Sequence, residues 1–176
     1  MKLNTRQLTN AALLVAVSII LTRLGALMVT NTIRLSFGNI PIYMAGLFFG
    51  PAVGGLVGAV ADLVGYLVNP FGAAFSPHIF LAAVMRGIVP PLVVRAIGHN
   101  GRNWHLKIVA AIIGAELVSG IYLTTVGLSW LYGTPFLALL PPRLIALCVQ
   151  VPVYSAFTYA LTVKLRYYVT ACQVGK

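Results

Sequence analysis

Acidic residues are almost missing from this chain: Asp62 and Glu116 are its only two, and charged residues of all kinds make up 8% of its 176 positions. A soluble domain carries about 25% charged residues, so this sequence lacks the means to cover a water-facing surface. No polar stretch is long enough to be a soluble domain; the longest, "GHNGRNWHLK" at 98–107, reads as a loop. The two cysteines, Cys148 and Cys172, form no C-x-x-C pair and no metal-ligand spacing, and Cys148 reads as a small core residue. No G-x-x-x-x-G-K-[ST] loop is present, so the chain is not expected to hydrolyse ATP itself. H-E-x-x-H, G-x-S-x-G and clustered carboxylates are missing too, which argues against an intramembrane enzyme. Nothing resembles a TVGYG filter or a ring of acids, which argues against an ion channel. No cofactor or metal is implied.

What fills the chain is apolar. Hydrophobic residues make up 60% of it, and the mean hydropathy is +0.95. A membrane-spanning helix takes about 20 mostly apolar residues. Apolar runs and turn residues predict an all-α bundle of six spans, at 8–29, 39–50, 52–69, 78–97, 107–128 and 140–165, forming one domain over 1–176. The N-terminal "AALLVAVSIILT" follows basic residues as a signal peptide would, but no clear small-x-small cleavage site comes after it, so a retained first helix is expected. The second span is short, bounded by Pro41 and Pro51. Non-helical backbone at membrane depth survives only against protein or a water-filled cavity, so 30–40 is a candidate cavity wall.

A net charge of +10 would suggest nucleic acid in a soluble protein. Here the basic residues sit at span ends, and no nucleic-acid partner is expected. Lys2, Arg6, Arg95, Arg102, Lys107, Lys164, Arg166 and Lys176 fall on one side of a six-span chain. By the positive-inside rule that side is cytoplasmic, together with both termini.

Arg23, Arg34, Arg86 and Arg143 break this pattern. "NTIRLSFGNIPIYMAGLFFGP" at 31–51 keeps Arg34 and Asn39 between oily stretches. Each such arginine either snorkels to the headgroups or needs a partner or a cavity. Arg23, Arg34 and Arg143 fall toward the same outer side, which favours a shared anion site. Asp62 and Arg86 come from adjacent spans at comparable depth and are expected to pair; Glu116 has no obvious partner. Tyr43, Asn69, Phe71, Phe75, His78, Trp130, Tyr132 and Phe136 also gather at the outer side. Aromatic faces with a few polar groups suit a flat heterocycle, although an interfacial belt explains some of them.

Small residues recur at four-residue spacing: Gly46, Gly50, Gly54 and Gly58, then Ala12 and Ala16. Such strips let helix backbones approach closely in lipid. Spacing alone favours packing inside the bundle for both.

"IRLSFGNIPIYMAGLFFGPAVGGLVGAVADLVGYLVNP" resembles the central stretch of the S components of energy-coupling factor vitamin transporters, most closely the folate-specific group. "TTVGLSWLYGTPFLALLPPRLI" at 124–145 and "AALLVAVSIILTRL" at 11–24 agree with it, so the likeness runs through nearly the whole chain. "HIFLAAVMRGIVPPL" at 78–92 departs at Met85-Arg86, where small or hydroxyl residues are expected, and "LIALCVQVPV" at 144–153 departs as well. The resemblance implies a six-helix subunit of the prokaryotic cell membrane that captures a vitamin from outside. It implies assembly with a transmembrane coupling protein and two cytoplasmic ATPases, so ATP hydrolysis would occur outside this chain. It reassigns Ala12 and Ala16 to the face that docks on the coupling protein. With folate as substrate, Arg23, Arg34 and Arg143 would hold the glutamate end or the polar ring edge. Trp130, Tyr132, Tyr43 and Phe71 would enclose the ring, and Asn39, Asn69 and His78 would be further hydrogen-bonding partners. The rival substrates are another small nutrient, such as pantothenate or a queuosine precursor; the rival class is a structural or assembly membrane protein with no ligand.

Overall fold

The computed structural model describes residues 5–23, 26–28, 34–69, 75–98 and 104–173. Six continuous helical rods account for nearly all of them. They are α1 (Thr5–Arg23), α2 (Asn39–Phe49), α3 (Pro51–Val68), α4 (Pro77–Ile97), a rod running from α5 (Trp104–Ala115) through a π-helical turn (Glu116–Leu123) into α6 (Thr124–Tyr132), and α7 (Phe136–Gln173). Four rods are long and apolar enough to cross a membrane: 51–68, 77–97, 104–132 and 136–164. A helix is present at each of the six expected spans, and the short second one is 11 residues. At 1.5 Å per residue α2 reaches about 16 Å, roughly half of a hydrocarbon core.

Two differences from the sequence reading concern local backbone. The first span was expected to run to residue 29, but α1 ends at Arg23 and the chain turns into β1 (Ala26–Met28). This strand pairs antiparallel with β2 (Arg34–Ser36), with Leu27 opposite Leu35. Apolar "ALM" satisfies a strand as readily as a helix end. Pairing supplies backbone partners in the stretch expected to be a cavity wall, as a low-dielectric setting demands. The second difference is the π turn, which widens the fifth rod near its middle.

α2 is the plug of the bundle. Ile40 to Gly46 are all buried, and a helix that is apolar all round belongs inside. Ile40, Tyr43 and Met44 pack with Ile108, Ile112, Ala115 and Tyr154. On its other side Ile42 and Ala45 meet Ala11, Val53, Val57 and Ala61.

The glycine series holds α2, α3 and α4 together. A Cβ on Gly46 or on Gly54 would strike the carbonyl oxygen of Gly87, and one on Gly58 would strike that of Ala83. Pro91 lacks an N–H, so the Gly87 carbonyl has no donor from the next turn of α4. Glycine Cα hydrogens approach it instead, a weak contact that recurs where helices meet closely. Gly50 is different: its φ is +92°, nothing stands near its Cβ position, and it makes the turn into α3 before Pro51.

The ends of the bundle are fixed by short contacts. At one end the rings of His78 and Trp130 lie 6.1 Å apart and those of Tyr66 and Phe75 5.4 Å apart. At the other, Lys107 donates to the Gly98 carbonyl at the end of α4, and His105 packs edge-on against Tyr159. Cys148, expected in the core, is exposed, because it falls on the outward face of α7.

Candidate functional site

The centre of the bundle holds a polar cluster built around α2. Tyr43 is fully buried, and a buried phenol needs a hydrogen-bond partner. Its hydroxyl donates to Oε1 of Glu116, at the start of the π turn. The other carboxylate oxygen of Glu116 occupies the space a Cβ would take on Gly120, so a side chain there would displace the acid. Within the turn, the Ser119 hydroxyl donates to the Ala115 carbonyl, and Thr124 Oγ1 donates to the Ser119 carbonyl at 2.6 Å. Side chains thus take up carbonyls in the widened stretch, and such turns often mark functional positions.

Arg86 faces the same carboxylate. Its Nε stands 3.9 Å from Glu116 Oε1, with side-chain exposures of 16% for Arg86 and 2% for Glu116. That separation is attraction without a hydrogen bond. Arg86 Nε has no hydrogen-bond partner among the described residues. Where an Asp62–Arg86 pair was expected, Arg86 stands against Glu116 instead.

The hairpin is tied into this cluster. Tyr154 donates to the Ser36 carbonyl at 3.0 Å and receives Asn39 Nδ2 at 3.5 Å. Its ring lies 6.0 Å from that of Tyr43. Ser18 on α1 donates to the Gly38 carbonyl at 2.7 Å. The junction between β2 and α2 is thereby gripped from both α1 and α7.

Of the residues singled out from the sequence, Asn39 and Tyr43 are joined through Tyr154. Tyr43 has no open face, since its ring meets Tyr154 and its hydroxyl meets Glu116. Arg143 on α7 is half-buried, and its Nε has no hydrogen-bond partner among the described residues. His78 and Trp130 meet at the end of the bundle, with His78 Nδ1 and the nearby Ser76 Oγ buried and unpartnered among the described residues. Trp130 and Tyr132 are 65% and 61% exposed, so most of each faces outward. Asn69 is exposed at the end of α3, where its backbone N–H donates to the Gly65 carbonyl. The side chains of Arg23 and Arg34, and the whole of Phe71, lie outside the described residues.

Ala12 and Ala16 are both exposed, on the face of α1 that also presents Leu13 and Ile20, whereas Ala11 and Ser18 point into the bundle. The packing role inferred from spacing alone is thus corrected. The Arg86–Glu116–Tyr43 connection and the place of Tyr154 were not anticipated. The one available signal was that a chain with two acids had put both inside spans.

Comparison with known proteins agrees with this architecture. The family model for the S component of ECF-type riboflavin transporters matches residues 2–167. The chain is 27% identical over 151 residues to the folate transporter FolT of Clostridium novyi (strain NT), covering 84% of this chain and 83% of that one. It is 28% identical over 166 residues to FolT of Leuconostoc mesenteroides subsp. mesenteroides, covering 91% and 86%. The crystal structure of FolT bound with folic acid superposes with a TM-score of 0.76 at 28% identity, over 90% of this chain and 93% of that one. A structure of the S component of a bacterial ECF transporter shares the fold, with a TM-score of 0.66 at 24% identity over 93% and 97%. A match that spans almost every residue of the bundle makes the chain a member of the ECF-type riboflavin transporter S component family.

Proposed function

We propose that this chain is the folate-binding S component of an energy-coupling factor importer. The observation that carries the reading is the likeness in sequence and fold, through nine-tenths of the chain, to FolT bound with folic acid. The interior chemistry supports folate over riboflavin. Riboflavin is uncharged at neutral pH, whereas folate carries two carboxylates, and arginine forks match carboxylates. Arg143, Asn39, His78, Trp130, Tyr132 and Asn69 are the ligand-binding candidates among the described side chains, and Arg23, Arg34 and Phe71 are further candidates from the sequence. Tyr43 serves the site through Glu116.

The same reading makes 1–176 one substrate-binding domain in the cell membrane, with both termini cytoplasmic. Its partners are a transmembrane coupling protein and two ATPases that hydrolyse ATP outside this chain. The docking face is the strip at Ala12 and Ala16, small enough for a partner helix to approach closely. Its exposure on α1 supports that assignment.

A thermal-shift screen of the detergent-solubilised protein against folate, riboflavin, pantothenate and a queuosine precursor tests the substrate. Stabilisation by folate at micromolar concentration is expected, since a ligand that binds only the folded state raises its apparent stability. A shift with riboflavin or another nutrient and none with folate would reassign the substrate. No shift with any of them would favour the ligand-free structural role.

A further inference from the structure

The buried face of the fifth rod falls out of step at the π turn. Ile108, Ile112, Ala115 and Ser119 are fully buried and follow one another at four, three and four residues, the spacing of one face of an α-helix. Beyond Ser119 that period would bury residues 123 and 126, four and seven further on. The buried residues are instead Thr124 and Gly127, five and eight further on, while Tyr122 is 62% exposed. The rod carries one residue more than α winding can use, and the Glu116–Leu123 turn absorbs it; the Thr124 N–H reaches back five residues to the Ser119 carbonyl. Without the turn α6 would be rotated by about 100°. With it, Gly127 faces α4, where a Cβ on this glycine would lie 3.1 Å from His78 Cβ and 3.2 Å from Ser76 Oγ.

We propose that Glu116 and Gly120 form a register device: the acid holds the turn in π winding, and the turn sets which face of α6 meets the His78 end of α4. π winding is rare on its own, and here it is anchored from outside the rod. One Glu116 oxygen fills the space a Cβ would take on Gly120, and the other accepts from Tyr43 on α2 and faces Arg86 on α4. Glu116 is thus a positioning residue, acting on the ligand through α6 and not by contact. That consequence rests on the folate reading above, since His78 and Trp130 are its candidates at this end; the winding itself does not.

Gly120→Ala should push the carboxylate aside and let the rod relax into α winding, turning Gly127 away from α4. Deleting Tyr122 from that variant puts Thr124 four and Gly127 seven residues after Ser119, back on the α period. Register is read by a disulfide between Ser76→Cys and Gly127→Cys under mild oxidation, with Cys148→Ser and Cys172→Ser as background. Folate affinity is read by titration calorimetry on the same turn variants without the cysteine pair. The unmodified turn should give the bridge. Gly120→Ala should lose it and weaken folate binding about tenfold or more, as for the loss of a well-placed polar contact. The added deletion should restore both, and should restore folding if Gly120→Ala alone does not fold. A lesion acting only through stability would be made worse by a deletion. Gly120→Ala that keeps the bridge, or a deletion that restores nothing, would overturn the proposal. A bridge that follows this pattern while folate affinity stays unchanged would remove the positioning role and leave the folate reading intact. If the unmodified chain binds no folate while the bridge follows the pattern, the folate reading fails and the register device stands.

Discussion

The Tyr43 hydroxyl donates to Oε1 of Glu116, joining the buried plug helix α2 to the π turn of the fifth rod. Glu116 is also the acid that faces Arg86. One carboxylate therefore ties together three helices of the bundle.

Removing either side of this connection should cost stability. Tyr43→Phe takes away a hydrogen bond to a charged group, worth about 1.5–3 kcal/mol. Glu116→Gln leaves Arg86 facing a neutral amide, and breaking a buried pair costs about 3–5 kcal/mol. Replacing Arg86 and Glu116 together by Met and Gln should be less destabilising than the sum of the single changes, because no unpaired charge remains. Denaturation of the detergent-solubilised variants measures the cycle. Additive losses would mean that the two side chains do not interact.

Two glycines should respond to the same substitution in different degrees. Gly87→Ala puts a methyl group into the backbone of Gly54. Because α3 and α4 must then separate, a loss of roughly 3 kcal/mol or more is expected, at or above the upper end for overpacking. Gly50→Ala meets nothing and pays only for an extended, positive-φ backbone that is essentially restricted to glycine, about 1–3 kcal/mol. Thermal unfolding of the two variants side by side checks the order. A Gly50 variant less stable than the Gly87 variant would contradict the close packing of the three helices.

Ala12→Trp and Ala16→Trp should separate capture from delivery. Both residues are exposed, so the bulk enters no core. Folate binding by the isolated subunit should survive, while uptake by cells and co-purification with the coupling protein are lost. Loss of binding and stability together with uptake would show instead that this face packs within the folded chain.

The rods were legible in sequence because membrane spans are long and apolar and their limits are marked by Pro, Gly and charge. The strands at 26–28 and 34–36 were not, since three residues are too few to show a period. The π turn was hidden for a related reason: "ELVSGIYL" keeps the composition of any apolar helix, and the change is one of winding. Arg86 and Glu116 both read as charges in spans, but helix rotation decides which charge meets which. Adjacency in the chain therefore favoured Asp62. Ala12 and Ala16 show the same limit, as a four-residue strip marks a face without saying whether the bundle or the outside lies against it.

Direct titration of purified, detergent-solubilised protein with folate, with riboflavin as competitor, bears most directly on the assignment. Saturable binding of folate, about one per chain, is predicted, with no displacement by a large excess of riboflavin. Saturation by riboflavin with no measurable uptake of folate heat or fluorescence signal would contradict it.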